Sequence, residues 1–200
     1  MVILIDFAFQ EFGTGESSMF LKEVSLTKNY DDIIKKIKWD DFKNDEHYTF
    51  NHKEQLDTHK KFGFDTIPES YNKYNTIIYQ KIFTADEIDF SEFQEQLQVE
   101  PVTVSFIKMK PGNVIPIHVD TFYLIKKKYP HRVNEKIVRA NIFLDDWKWG
   151  HFLQIDDEIK THWSKNSGYM WDEGVIHIAA NCGLHDRYTL QVSGFYSGTQ

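Results

Sequence analysis

Cysteine is nearly absent from this chain. Cys182 is the only one in 200 residues, so no internal disulfide can form, and a reducing, cytoplasmic setting is expected. Long hydrophobic runs are missing too. No stretch approaches the ~18 apolar residues that cross a bilayer. The apolar N-terminus, MVILIDFAFQEFG, has no basic leader and carries Asp6 and Glu11. It is a poor signal peptide, and its expected role is a first strand. Positive charge is in deficit, with a net charge of -7, which disfavours a broad nucleic-acid surface. The sequence shows no repeat and no low-complexity linker. Aromatic residues, at 16% of the chain, are plentiful. Tyr and Trp carry polar tips, so they suit a lined cavity as well as a core.

The pattern changes near residue 100. Before it, YDDIIKKIKWDDF places Ile33, Ile34 and Ile37 on one helical stripe that Trp39 or Phe42 extends. TADEIDFSEFQEQLQ opens on Thr84 with Glu87 three residues on, the signature of a capping box. That predicts a helix burying Ile88, Phe93 and Leu97. After residue 100 the period becomes two. VTVSFIKM, VIPIHVD, KIVRANIFLDDW, HFLQID, SGYMWD, VIHIAAN and RYTLQVSGFY read as short strands with turn residues between several of them. The fold expected is mostly β with flanking α: one domain over residues 1–200, with 1–100 a mixed α/β support region carrying a helical layer. Residues 101–200 would form a jelly roll, or double-stranded β-helix.

His118-x-Asp120 closes one of these strands. Nine histidines and 30 acidic residues are present, so about one such pair arises by chance. A second pair, His52-x-Glu54, lies in a polar, helical segment where i and i+2 diverge. In an extended segment His118 and Asp120 point together. They are either a metal clamp or a hydrogen-bonded loop pair. A facial metal site needs one more histidine from another strand, and VIHIAAN offers His177 amid apolar neighbours, where an imidazole needs polar partners. Ten residues on, RYTLQVS alternates Arg187, Thr189, Gln191 and Ser193 against Tyr188, Leu190 and Val192. If the apolar set packs on helices, the polar set lines the interior. An interior arginine then needs a carboxylate, from the protein or from a small dicarboxylate.

Taken together, His118-x-Asp120, His177 and Arg187-x-Thr189 in a late run of short strands resemble the iron(II)- and 2-oxoglutarate-dependent oxygenases. The segments VRANIFLDDW, WSKNSGYMWDEGVIHIAAN and RYTLQVSG look most like the aspartyl/asparaginyl β-hydroxylase branch, which includes proline hydroxylase-like enzymes. The resemblance covers roughly residues 100 to 196. It implies that His118, Asp120 and His177 hold Fe(II), and that Arg187, Thr189 and Asn141 bind 2-oxoglutarate. Dioxygen would be consumed, with ascorbate as an accessory. A small-molecule or amino-acid or peptide substrate would be hydroxylated, with succinate and CO2 released. Two departures stand out. Some members of that branch lack the carboxylate ligand, whereas Asp120 completes the triad here. The branch's Arg-x-His pair reads Arg139-Ala-Asn141.

Arg139 would point into the barrel with Asn141 and Phe143, as a candidate clamp for a substrate carboxylate or else as the ion-pair partner of Asp145, Asp146 or another strand's acid. Trp147, with Trp149, is a candidate wall of the site mouth, or else packing. KKKYPHR, from Lys126 to Arg132, is either a solvated face or a patch steering an anionic substrate. FGTGES lacks the lysine and strand–helix context of a phosphate loop. Two other readings use the same residues: a cupin-type metal enzyme without 2-oxoglutarate, and a non-catalytic jelly-roll binding module.

Overall fold

The computed structural model describes residues 20–44, 53–63 and 75–198. The expected strand at residues 1–13, the FGTGES stretch and His52 lie outside the described residues. Within them run eleven strands: β1 Leu21–Ser25, β2 Lys43–Asn44, β3 Ile78–Phe83, β4 Val99–Met109, β5 Val114–Val119, β6 Ile137–Phe143, β7 His151–Ile155, β8 Glu158–Lys160, β9 Ser167–Asp172, β10 Ile176–Asn181 and β11 Arg187–Tyr196. The helices are α1 Asp31–Lys36, α2 Lys53–Lys61, α3 Ser91–Leu97 and α4 Tyr123–Lys128. All seven strands expected after residue 100 form.

The strands build two antiparallel sheets, ordered β1-β9-β6-β11-β4-β3-β2 and β5-β10-β7-β8. From β4 to β11 the chain passes back and forth between the sheets, and the inner order β9-β6-β11-β4 faces β5-β10-β7-β8. This connectivity is the jelly roll, a double-stranded β-helix. Strands β1, β2 and β3 extend the larger sheet at its two edges, so the first hundred residues contribute strands as well as helices.

Alternation decides which side chains go where. On the outer face of the larger sheet Val104, Phe106, Val138, Ala140, Ile142, Met170, Leu190 and Val192 are buried against Phe93 and Leu97 of α3 and Ile33 and Ile34 of α1. The opposite face turns towards the smaller sheet. There Ile107, Met109, Phe143 and Trp171 pack on Ile115, Leu153, Ile155 and Ala179. Between these apolar groups the same face carries Ser105, Asn141, Arg187, Thr189 and Ser193, all buried. An alternating antiparallel strand commonly turns its polar set to water. In this sheet the polar set is inside, because helices cover the other face.

Helix α3 starts later than its sequence suggests. Glu87 does accept hydrogen bonds from the backbone N–H of Thr84 (2.9 Å) and from its hydroxyl (3.2 Å). Those bonds close one turn after β3, and the helix begins at Ser91, whose N–H donates to Asp89 (2.9 Å). The expected stripe still forms, with Ile88, Phe93 and Leu97 all buried.

At a register shift in β11, a Cβ on Gly194 would lie 1.9 Å from the Glu100 carbonyl oxygen. Only a bare backbone fits against β4 there. Gly194→Ala is expected to cost about 2 kcal/mol or more by overpacking, read as a lower urea midpoint. An unchanged midpoint would show that the strands separate there without penalty.

Candidate metal centre

His118 and His177 face each other directly across the β5–β10 pair. Their ring centroids are 4.0 Å apart. Asp120 follows two residues after His118, just past the strand end, and points to the same side. One ligand atom from each of the three lies within 4.8 Å of the others, and no other such group converges among the described residues. His177 Nε2 is 3.6 Å from Asp120 Oδ2, close enough for both atoms to reach one ion at about 2.1 Å with a small adjustment.

The backbone fixes both imidazoles in one tautomer. His118 Nδ1 lies 2.8 Å from the Pro116 carbonyl oxygen, and His177 Nδ1 lies 2.9 Å from that of Val175. A carbonyl only accepts, so each Nδ1 carries the proton and each Nε2 is the lone-pair nitrogen. Metal-ligating histidines are commonly oriented this way. Burial lowers the His177 pKa, and lowers that of His118 well below the ordinary value, with the neighbouring His177 adding to the effect. Both rings are therefore neutral at pH 7. For Asp120 burial pushes the pKa up, but the Arg139 guanidinium, the two histidines and the Trp171 N–H outweigh it and hold the carboxyl below its ordinary value. Two neutral imidazoles and one carboxylate, offered from one side, suit a divalent cation with open positions.

Arg139 and Trp171 sit opposite each other across β6 and β9 and close around Asp120. Arg139 Nη1 donates to Asp120 Oδ1 at 2.5 Å, and Trp171 Nε1 donates to Oδ2 at 3.0 Å. The sequence left Arg139 open between a substrate clamp and an ion pair with a protein acid; the structure places it on Asp120. Trp171 was missed. Its signal was present: an indole on the inward parity of SGYMWD needs an acceptor when buried.

Arg187 lies further along the same interior face. It is 3% exposed. Its Nη1 reaches the Met109 sulfur at 3.1 Å, and its Cζ sits 5.7 Å from the Phe143 ring and 5.6 Å from that of Trp163. Nε and Nη2 have no hydrogen-bond partner. Burial alone pushes its pKa down to about 10, so it remains cationic at neutral pH. Thr189, also buried, pairs with Phe143 in register and shares this face. Asn141 is buried on β6 between Arg139 and Phe143, and its Oδ1 is without a partner.

Other candidates fall elsewhere. Trp147 donates from Nε1 to the carbonyl of His151 at 2.7 Å and stacks on His162 at 4.1 Å. His151 opens β7 opposite Asn181, whereas His177 pairs with Ile155 at the other end of that strand. Trp147 thus lies at the end of the barrel away from the triad, with Trp149 beside it and 82% exposed. Within KKKYPHR, Lys126 pairs with Glu173, and Arg132 with Glu100 and Glu135. Lys127 and Lys128 are exposed on α4.

No protein-family model and no curated protein sequence matches this chain. Solved structures do resemble it in fold. A prolyl-4-hydroxylase from Pseudomonas putida aligns over 91% of this chain and 95% of its own, at 11% identity and a TM-score of 0.49. A 2OG-Fe(II) oxygenase family oxidoreductase from Burkholderia pseudomallei aligns over 60% and 68%, at 9% identity and a TM-score of 0.39. A Klebsiella pneumoniae protein with a double-stranded β-helix domain aligns over 48% and 70%, at 13% identity and a TM-score of 0.33.

Proposed function

We propose that this chain is an Fe(II)- and 2-oxoglutarate-dependent dioxygenase that hydroxylates a small molecule or an amino-acid side chain. The observation that carries the reading is Arg187. A buried cation with no anion beside it costs several kcal/mol, and among the described residues no carboxylate pairs with it. A dicarboxylate anchored at a metal on one end and at Arg187 on the other supplies that partner. A metal enzyme without cosubstrate gives the buried guanidinium no such role, and neither does a binding module.

The donor set fits the metal. His118, Asp120 and His177 would hold Fe(II) and leave positions for cosubstrate and dioxygen. With Fe(II) bound, dioxygen would serve as the oxidant that protein side chains lack, one oxygen atom going to the substrate as hydroxyl and the other to 2-oxoglutarate, which leaves as succinate and CO2. The chain's own residues do the rest. Arg187 binds and orients the far carboxylate through charge-assisted hydrogen bonds, with Thr189 beside it. Asn141, buried on the same face, would offer its amide to a carboxylate of the cosubstrate. Phe143, Trp163 and Met109 exclude water from the guanidinium, which strengthens its hold on an anion. The basic face of α4 would favour approach of an anionic substrate. The chain would work in the cytoplasm, with ascorbate as an accessory reductant in the assay.

The test is turnover. Protein supplied with Fe(II), ascorbate, oxygen and 2-oxoglutarate is expected to form succinate, slowly alone and faster with the right member of a panel of amino acids, peptides and small acids. Absence of succinate under every condition would count against the proposal.

A further inference from the structure

We infer that Arg139 and Trp171 are positioning residues for Asp120, restricting it to one-point metal coordination through Oδ2. The inference rests on the metal reading of the triad and goes beyond it, because it gives Arg139 a task at the metal carboxylate and not at a substrate.

The geometry is asymmetric. Asp120 is 7% exposed, and its two oxygens have different neighbours. Oδ1 accepts from Arg139 Nη1 at 2.5 Å. Oδ2 accepts from Trp171 Nε1 at 3.0 Å and faces His177 Nε2 at 3.6 Å. A carboxylate oxygen has two lone-pair sites. On Oδ2 one is taken by the indole, which leaves the other for a cation on the His177 side. Oδ1 is held away by the guanidinium. Arg139 is itself braced, since its Nε donates to Ser193 Oγ at 3.1 Å and Phe122 lies beneath it, with Cζ 5.7 Å from the ring. Trp171 is fully buried and packs on His177 at 4.7 Å. Neither donor can swing aside without leaving a buried polar group unpaired.

Two effects of Arg139 on an incoming dication oppose each other. Its charge repels the ion, and its hydrogen bond keeps the carboxylate aimed. The Arg139 side chain is 25% exposed at the rim, where solvent screens the repulsion, while the aimed oxygen lies inside. Orientation therefore prevails, and removing it weakens binding on the scale of outer-shell substitutions, about 10–100-fold.

The experiment is a Co(II) titration followed by visible absorption, with near-UV circular dichroism to confirm folding. Wild type is expected to saturate. Arg139→Met should bind about 10–100-fold more weakly, and Arg139→Lys should recover part of the loss. Trp171→Phe, which removes only the N–H donor, should weaken binding and alter the Co(II) bands. In an Asp120→Ala background, Arg139→Met should cost nothing further, because its effect runs through that carboxylate. Wild-type affinity in both Arg139→Met and Trp171→Phe would overturn the inference, as would an equal loss from Arg139→Met with and without Asp120. If wild type takes up no Co(II), the metal reading itself fails.

Discussion

Arg187→Ala is expected to abolish measurable 2-oxoglutarate binding while leaving metal uptake nearly intact. The guanidinium is buried, cationic at neutral pH and without a partner at Nε and Nη2. Breaking a desolvated charge pair by removing one member costs about 3–5 kcal/mol, which is roughly a 10²–10⁴-fold loss of affinity. The triad is built from β5, β10 and the residue just past β5, with no contact from Arg187 among its hydrogen bonds. Metal affinity should therefore change little. An equal loss of both ligands would remove Arg187 from its role. A second signature accompanies the first. Arg187→Met fills similar space beside Met109, Phe143 and Trp163 without an unanswered charge, so the ligand-free protein should become more stable, by about 1–4 kcal/mol. Calorimetry of ligand-free wild type and variant reads this directly. A destabilised Arg187→Met protein would indicate that the guanidinium has a protein partner after all.

That tension between stability and ligand binding is also why part of the site was legible in the sequence. Period-two alternation placed all seven strands expected after residue 100. In RYTLQVS it separated Leu190 and Val192, which pack outward under the helices, from Arg187, Thr189 and Ser193, which line the interior. His118 and Asp120 share a side because i and i+2 do so in any extended segment. His177 could be singled out only as an imidazole in an apolar strand, and its meeting with His118 depends on the β5–β10 register. Local spacing carries no such information. The same holds for Arg139. Its inward direction followed from parity, but its choice of Asp120 over Asp145 or Asp146 is a matter of which strands face each other. Strands β1 and β2 are not legible in the sequence. LKEVS and the two-residue β2 are too short and too charged to show a period, and they become strands by pairing with β9 and β3. Helix α3 shows the reverse error: a real capping pattern at Thr84 and Glu87 closes a turn and not the helix.

The second large effect is expected at the triad itself. His177→Ala or Asp120→Ala should weaken Fe(II) binding by more than about 100-fold, since substitutions merely outside the ligand set already cost 10–100-fold. His177 lies inside the smaller sheet, pairing with both His118 and Ile155, so its backbone continues the ladder when the ring is removed. Folding should survive, and loss of metal then reports ligation. Asp120→Ala removes a buried carboxylate and leaves Arg139 and Trp171 without their acceptor, so it should lower stability as well as affinity. The deciding measurement is an anaerobic optical titration of Fe(II)-loaded protein with 2-oxoglutarate. Wild type should develop a saturable visible charge-transfer band as the cosubstrate chelates the metal. Arg187→Ala should require far more 2-oxoglutarate to reach it, and the triad variants should not develop it at all. Metal uptake without any band would move the chain to the cupin-type reading, in which Arg187 is structural. No metal uptake by folded wild type would leave His118-x-Asp120 as the pair that chance supplies about once in such a composition.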